Sequence, residues 1–244
     1  DAPYAILTVN GLRVGVIGLV MGNLVDGYLT PKTAGPVTTP PVVETARAVA
    51  RQLAGQTDVI LVLGHILPSE GSAIVRDVPE IAAVIQGHSH RGIDEMEKVD
   101  GRVVVNLRGY GIEIGRLDLD IDTATHHAAS AKWTRIPVQS GKLPPDPTVA
   151  RLVAKWERKV AAVVDRPIAQ ARRELLQPEV RLLMEQAMRE EMGADFSYMN
   201  RGGVRDKLPK GTIRERELWN IMPFDNQMML ARMKGSQLNE TLRA

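Results

Sequence analysis

Two short apolar runs, each closing on glycine and histidine, constrain this chain more than any other feature. "DVILVLGH" occupies residues 58–65 and "EIAAVIQGHSH" residues 80–90. A continuous apolar run of this length reads as a strand buried on both faces, the kind found inside a parallel sheet covered by helices. Ahead of them, "PPVVETARAVARQLAG" reads as a helix. Pro40 and Pro41 suit its first turn, Val43, Ala46, Ala50 and Leu53 make one stripe, and Gly55 can stop it. Residues 12–20 read as a further apolar strand, entered from a first strand through an Asn10-Gly11 hairpin turn, and a loop rich in Gly, Pro and Thr follows over 22–41. "GRVVVNLRG" and "IEIGRLDLDID" add two strands, the second alternating and one-faced. Residues 1–122 therefore alternate strands and helices, and the fold class is α/β, in layers.

In sheets of this kind ligands bind at the carboxyl ends of the strands. Three of the five histidines stand there: His65, His88 and His90. Extended chain would put His88 and His90 on the same side of the backbone, where two metal ions ~3.5–4 Å apart could each take one. Gly87 leaves room for the backbone to approach an ion. The competing reading is that these are loop histidines capping strands, and the third histidine at a second strand end weighs toward a site. The nearby acids, Glu70, Asp77, Glu80, Asp94 and Glu95, sit in turns or helix starts, and no D-x-H, G-D or N-H-[DE] pattern occurs. By spacing alone, three histidines could hold one zinc with water as fourth ligand. His126 and His127, in a polar stretch, read as exposed linker residues.

Composition closes off several function classes. A net charge of +2, with scattered basic residues and few aromatics, gives no footprint for a nucleic-acid polymer. With no cysteine there is neither a disulfide framework nor a thiolate metal site. No apolar run approaches the length of a membrane span.

Residues 123–146 are polar and end in "SGKLPPDP", which reads as a linker or boundary. Residues 147–164 read as an amphipathic helix with Val149, Leu152, Val153, Trp156, Val160, Val163 and Val164 on one face. A second α/β pattern begins near Arg166: a helix from about Pro178 to Met192 stopped by Gly193, then "DFSYMN" and "QMMLARM" as strands around a glycine-rich "RGGVR" loop. The expected organisation is a first domain over 1–140, a linker and inter-domain helix over 141–165, and a second domain over 166–244.

"TDVILVLGHILPSEG…IAAVIQGHSH" resembles the later metal motifs of calcineurin-like metallophosphoesterases. "GADFSYMNRGGVRDKLPKGTI…LWNIMPFDNQMMLARMKGSQLNETL" resembles the C-terminal domain of the 5′-nucleotidase/UDP-sugar hydrolase family, with its N-x-G-G-[IV]-R and P-F-x-N motifs. The two signatures stand in the family's order and span almost the whole chain. The resemblance implies the later half of a metallophosphoesterase β-sandwich flanked by helices, joined by a linker helix to a partial second α/β domain. It implies two divalent ions (Zn, Mn, Mg or Co) with His65, His88 and His90 among their ligands. The bridging aspartate and the catalytic histidine are expected upstream of Asp1, so the 244 residues read as a middle section with no catalytic residue of its own. Alone, that section is expected to bind metal weakly, to be inactive, and to self-associate through exposed apolar sheet surface.

Carried onto this chain, Asn200 and Arg205 match the Asn and Arg of N-x-G-G-[IV]-R, with Gly202 and Gly203 allowing the loop. Arg205 would bind phosphate, Phe224 would stack on a base and Asn226 would read a base edge. Arg173, or its neighbour Arg172, falls near a further phosphate-binding arginine of the family. The implied activity is hydrolysis of a nucleoside 5′-monophosphate to nucleoside and phosphate, in the periplasm or at the cell surface. The linker helix would let the second domain swing, bringing substrate to the metals. Asp225 and Arg201 stand where the family has glycines, and Arg181-Leu182 and Gln186 replace Gly-Asn and Asp in a helix motif. Two rivals follow: another ester on the same scaffold (2′,3′-cyclic nucleotides, UDP-sugars or thiosulfate-type esters), and a non-catalytic nucleotide-binding surface module.

Overall fold

The structure is a computed structural model that describes residues 2–22, 24, 37–122, 124–125, 127–139, 141–224 and 226–241. His126, Asp225 and most of the 22–41 loop lie outside the described residues. The chain divides into two compact units, Asp1–Leu143 and Pro144–Ala244.

The first unit holds a six-stranded sheet. β1 (Tyr4–Val9) and β2 (Leu12–Val20) form a hairpin through Asn10 and Gly11, both at positive φ, as a two-residue type I′ turn requires. β2, β3 (Val59–His65), β4 (Ile81–Gln86) and β6 (Arg102–Asn106) are mutually parallel, and β5 (Glu97–Val99) closes the edge antiparallel to β6. The parallel strands align Val20, His65 and Asn106 at one carboxyl edge, with the Gly87–His90 segment following β4 there.

Two helices cover one face of this sheet. α1 (Val42–Leu53) buries Val42, Ala46, Val49, Ala50 and Leu53, and α2 (Pro68–Asp77) buries Gly71, Ile74 and Val75. They pack on Ile17, Ile60, Val62, Ile81, Val84 and Val104. Burying a single Val or Ile side chain contributes roughly 1.5–3 kcal/mol, so this layer dominates the unit's stability. The opposite face is less covered: Leu63 is 58% and Leu7 51% exposed. Residues 128–137, read as linker from the sequence, instead form β8 (Ala128–Pro137). It pairs antiparallel with β7 (Glu113–Ile121) as a separate two-stranded sheet. His127 is an exposed residue in the turn joining those strands, where Asp122 N donates to its carbonyl at 2.9 Å.

The second unit opens with α3 (Pro147–Val164). The Asp146 carboxylate accepts from Thr148 N at 2.8 Å and Val149 N at 2.9 Å, capping two orphan donors. α3 buries none of its residues, and most of its apolar stripe, Trp156 included, is exposed. Its carboxyl end is tied down by Arg216, which reaches Glu157 at 2.8 Å and Asp165 at 2.9 Å. Those two carboxylates hold the guanidinium pKa above its ordinary value. β9 (Pro167–Ala171) pairs antiparallel with β10 (Gly211–Arg214). α4 (Gln177–Met192) ends on Gly193 at φ 58°, and α5 (Glu215–Ile221) and α6 (Gly235–Thr241) follow. Val180, Val204 and Ile221 form the small core. Residues 195–200 and 227–233 were expected as strands but pair with nothing in a sheet. Their alternating apolar residues are instead largely exposed, Phe196, Tyr198, Met229 and Leu230 among them.

Candidate functional site

At the carboxyl edge of the first unit the sheet delivers histidines from two adjacent strands. His65 ends β3, and Gly87 N donates to Gly64 O at 2.9 Å, so the chain leaving β4 runs alongside. His88 Nδ1 lies 3.1 Å from His65 Nε2, with the rings edge-on at 79°. One of those two nitrogens carries the proton when they hydrogen-bond. Two imidazole donors on one tetrahedral zinc, each at 2.0–2.1 Å, stand about 3.3 Å apart, so this pair suits a shared divalent ion.

His90 goes elsewhere. The sequence reading put His88 and His90 on extended chain, facing the same way. The backbone instead turns at both, with φ of 75° and 57°. His90 packs its ring on Tyr110, centroids 5.3 Å apart at 78°. Among the described residues no group of three or more His, Asp or Glu side chains could hold a metal ion. Three of the nearby acids are otherwise engaged. Glu70 accepts from Leu67 N at 2.7 Å and Gly22 N at 3.0 Å, Asp77 pairs with Arg76, and Asp94 with Arg135. The donors present therefore fit one divalent ion at two positions, and the described residues supply no carboxylate beside them.

Beneath the His-Ser-His turn lie two buried carboxamides, Gln86 and Asn106, partners across β4 and β6. Asn106 Nδ2 donates to Ser89 Oγ at 2.6 Å, while Gln86 Oε1 and Asn106 Oδ1 find no partner. The turn after β6 is anchored by Glu113, which accepts from Arg108 N at 2.8 Å and from Arg135 at 2.8 Å. The Arg108 amide first, and then the Arg135 guanidinium, hold the Glu113 carboxyl below the usual range. Sequence reasoning missed Asn106 and Tyr110. The signal available was "NLRGYG", an aromatic between glycines just after a strand that ends on the same edge as the histidines.

In the second unit, Arg205 Cζ sits 5.0 Å from the centre of the Phe224 ring. The Arg205 backbone is fixed on both sides: its N donates to Ile221 O at 2.8 Å, and Gln177 Nε2 donates to its carbonyl at 2.8 Å. Asn200, Gly202 and Gly203 form the 3-10 turn leading to it, with Gly203 N donating to Asn200 O at 3.0 Å. Phe224 and Arg173 both line an open cavity of ≈ 820 Å³, with Ile168, Leu183, Trp219 and Met222 among its apolar walls. Arg173 is already paired, reaching Glu179 at 2.7 Å. That contact, before the Leu176 amide, lowers the Glu179 pKa. Asn226 is exposed and borders neither feature.

A helix-covered parallel sheet with a histidine pair at its carboxyl edge, followed by a smaller unit of two strands and helices, makes this a layered α/β chain. Residues 160–244 match the family described as "5′-nucleotidase, C-terminal domain". That stretch is similar to the family over most of the second unit, and relatives matching nearly the whole chain include proteins named 5′-nucleotidase and metallophosphoesterase. The chain is 26% identical to Endonuclease YhcR of Bacillus subtilis, over 99% of this chain and 21% of that protein. It is 24% identical to the uncharacterized metallophosphoesterase YunD of the same organism, over 98% of this chain and 52% of that protein. A solved 5′-nucleotidase precursor from Thermus thermophilus superposes with a TM-score of 0.72 at 22% identity, covering 91% of this chain and 49% of that one. The chain thus spans between about a fifth and a half of these relatives' lengths.

Proposed function

We propose that the protein carrying this chain is a metal-dependent phosphomonoester hydrolase acting on nucleotides, of the 5′-nucleotidase type. The observation that carries the reading is the His65–His88 pair, two ring nitrogens 3.1 Å apart at adjacent strand ends. His65 and His88 would hold one divalent ion, and His90, turned toward Tyr110, would give a donor to the second. Bound divalent ions would polarise the phosphoryl oxygens and acidify a water molecule.

The second unit would supply the substrate contacts. Arg205 presents a planar guanidinium, able to bind two phosphate oxygens at once and to neutralise charge developing on them. Phe224 would stack on the base and Asn226 would read its edge. Because the Arg205 guanidinium already lies over the Phe224 ring, a stacked base would take the other face of that ring or displace the arginine. Arg173 would join only by leaving Glu179. The reading places the protein in the periplasm or at the cell surface, and no described helix is long and apolar enough to cross a membrane.

The test is phosphate release from AMP by the intact protein with Mn²⁺ or Zn²⁺. Activity is expected to vanish on chelation and in His65→Ala and His88→Ala. A panel of 2′,3′-cyclic nucleotides, UDP-sugars and thiosulfate-type esters separates the other esters. A folded protein that hydrolyses no nucleotide would sink the proposal. Nucleotide binding without any turnover would then support the rival reading of a non-catalytic module. The altered helix motif, with Arg181-Leu182 and Gln186, and Asp225 in the P-F-x-N loop are what motivate that rival.

A further inference from the structure

Five non-glycine residues take positive φ: Asn10, His88, His90, Asp100 and Tyr110. Asn10-Gly11 and Asp100-Gly101 turn the β1–β2 and β5–β6 hairpins, where Asn and Asp before Gly are the ordinary choice. The other three gather at the carboxyl edge that carries the histidines. A bulky aromatic such as Tyr110 in this region is an outlier, and such conformations persist only where the surroundings over-determine them. Tyr110 is 68% exposed, so filling a core does not explain it.

The surroundings here are specific. Asn106, 3% exposed at the end of β6, donates through Nδ2 to Ser89 Oγ, the middle residue of His-Ser-His. Gly109 N donates to His90 O at 3.2 Å. A Cβ on Gly109 would stand 2.7 Å from His90 Cγ, so only glycine lets the imidazole come this close. Tyr110 meets the same ring edge-on, centroids 5.3 Å apart. The base of the turn is fixed in its own right, by Ile93 N on Asn106 O at 3.1 Å and by Glu113 on Arg108 N. The chain after β6 thus grips both the centre and the end of the histidine turn.

We propose that the turn from Asn106 to Tyr110 is the positioning element of the metal-binding histidines. Asn106 sets the His-Ser-His backbone through Ser89, and Tyr110 sets the His90 ring. The inference rests on the reading of His65, His88 and His90 as metal donors. Neither Asn106 nor Tyr110 is assigned contact with substrate. They act through the donors, as groups behind a metal site do, and loss of such a group typically costs about 10–100-fold in metal affinity.

Co²⁺ is the probe, because its visible absorption reports the donor set directly. In the intact protein, Tyr110→Ala is expected to weaken Co²⁺ binding about tenfold and to change the absorption band. Tyr110→Phe, which keeps the ring, is expected to match wild type in both. Asn106→Ala should act in the same direction. It removes a buried group and can fail to fold, so the surface variant Tyr110→Ala carries the test. Thermal melting in parallel establishes that each variant is folded. Wild-type affinity and spectrum in folded Tyr110→Ala would overturn the positioning role while leaving the metal reading intact. Co²⁺ binding indifferent to His65→Ala and His88→Ala would overturn the metal reading, and this inference with it.

Discussion

Gln86 shows how closely single residues are fitted around the histidine edge. It is only 8% exposed, with Oε1 aimed at α2. A Cβ at Gly71 would stand 1.9 Å from that oxygen. The neighbour is the end of a flexible side chain, but a buried one flanked by β6 and the His-Ser-His turn, so it has little room to retreat. Gly71→Ala, normally favourable inside a helix, is therefore expected to destabilise the first unit by about 1–3 kcal/mol, the usual cost of overpacking. Urea denaturation followed by circular dichroism measures it, and a stabilised variant would show that Gln86 is free to swing away. At this scale the sequence exposed the paired histidines but not their neighbours. His65 and His88 could be found because Gly-His closes a buried run. The role of Gly71 depends on what lies across the sheet edge, which no local pattern encodes, and "NLRGYG" marks Asn106 and Tyr110 without saying what they touch. The turn in the His-Ser-His backbone was hidden for the same reason. Extended geometry is the default two residues past a strand, and only contacts from the chain after β6 overrule it.

At the scale of elements, the strongly periodic segments were legible. β3, β4, α1, α3 and α4 lie where apolar spacing put them. β8 was not: its small and polar residues, "AASAKWTRIP", look like linker, yet they pair along all of β7. Part of what holds this hairpin to the site is electrostatic. Glu113, on β7, bridges the Arg108 amide after β6 and Arg135 on β8. Its side chain is only 6% exposed. Its folded pKa is lowered, so it binds its proton more weakly folded than unfolded. The stability it contributes is complete above the unfolded carboxylate pKa of about 4.3 and is lost as pH falls through the lower folded value. Asp77, Asp122 and Glu179 shift the same way and add to the trend. Stability should thus fall on acidification below about pH 5. Glu113→Gln should be less stable than wild type at neutral pH, with the gap narrowing in acid. Urea midpoints across the acid range read this, and a gap that stays constant with pH would remove Glu113 from the account.

At the scale of the whole chain, the two units differ in how much apolar surface they bury. The first stacks two helices on a six-stranded sheet, with Ile17, Val62, Ile74, Val84 and Val104 essentially inaccessible. In the second, Val180, Val204 and Ile221 are the core cluster among the described residues, and α3 buries nothing. Its sheet has only two strands, which is marginal as an independent unit. Opening free energy follows buried apolar contact, so amides of the second unit should exchange through a lower-energy opening than those of the first. Hydrogen exchange followed by mass spectrometry, with urea added stepwise, resolves the two. Amides of α4 and α5 should lose protection at urea concentrations where β3 and β4 remain closed. If all four exchange with one free energy and one urea dependence, the chain opens as a single cooperative body. The difference in core size would then carry no consequence for stability. Should the separation appear, the Phe224 and Arg173 cavity belongs to the more easily opened unit. A nucleotide bound there would protect α4 and α5 selectively, by about RT ln(1 + [L]/Kd). The same exchange experiment with AMP present would then read ligand binding independently of catalysis.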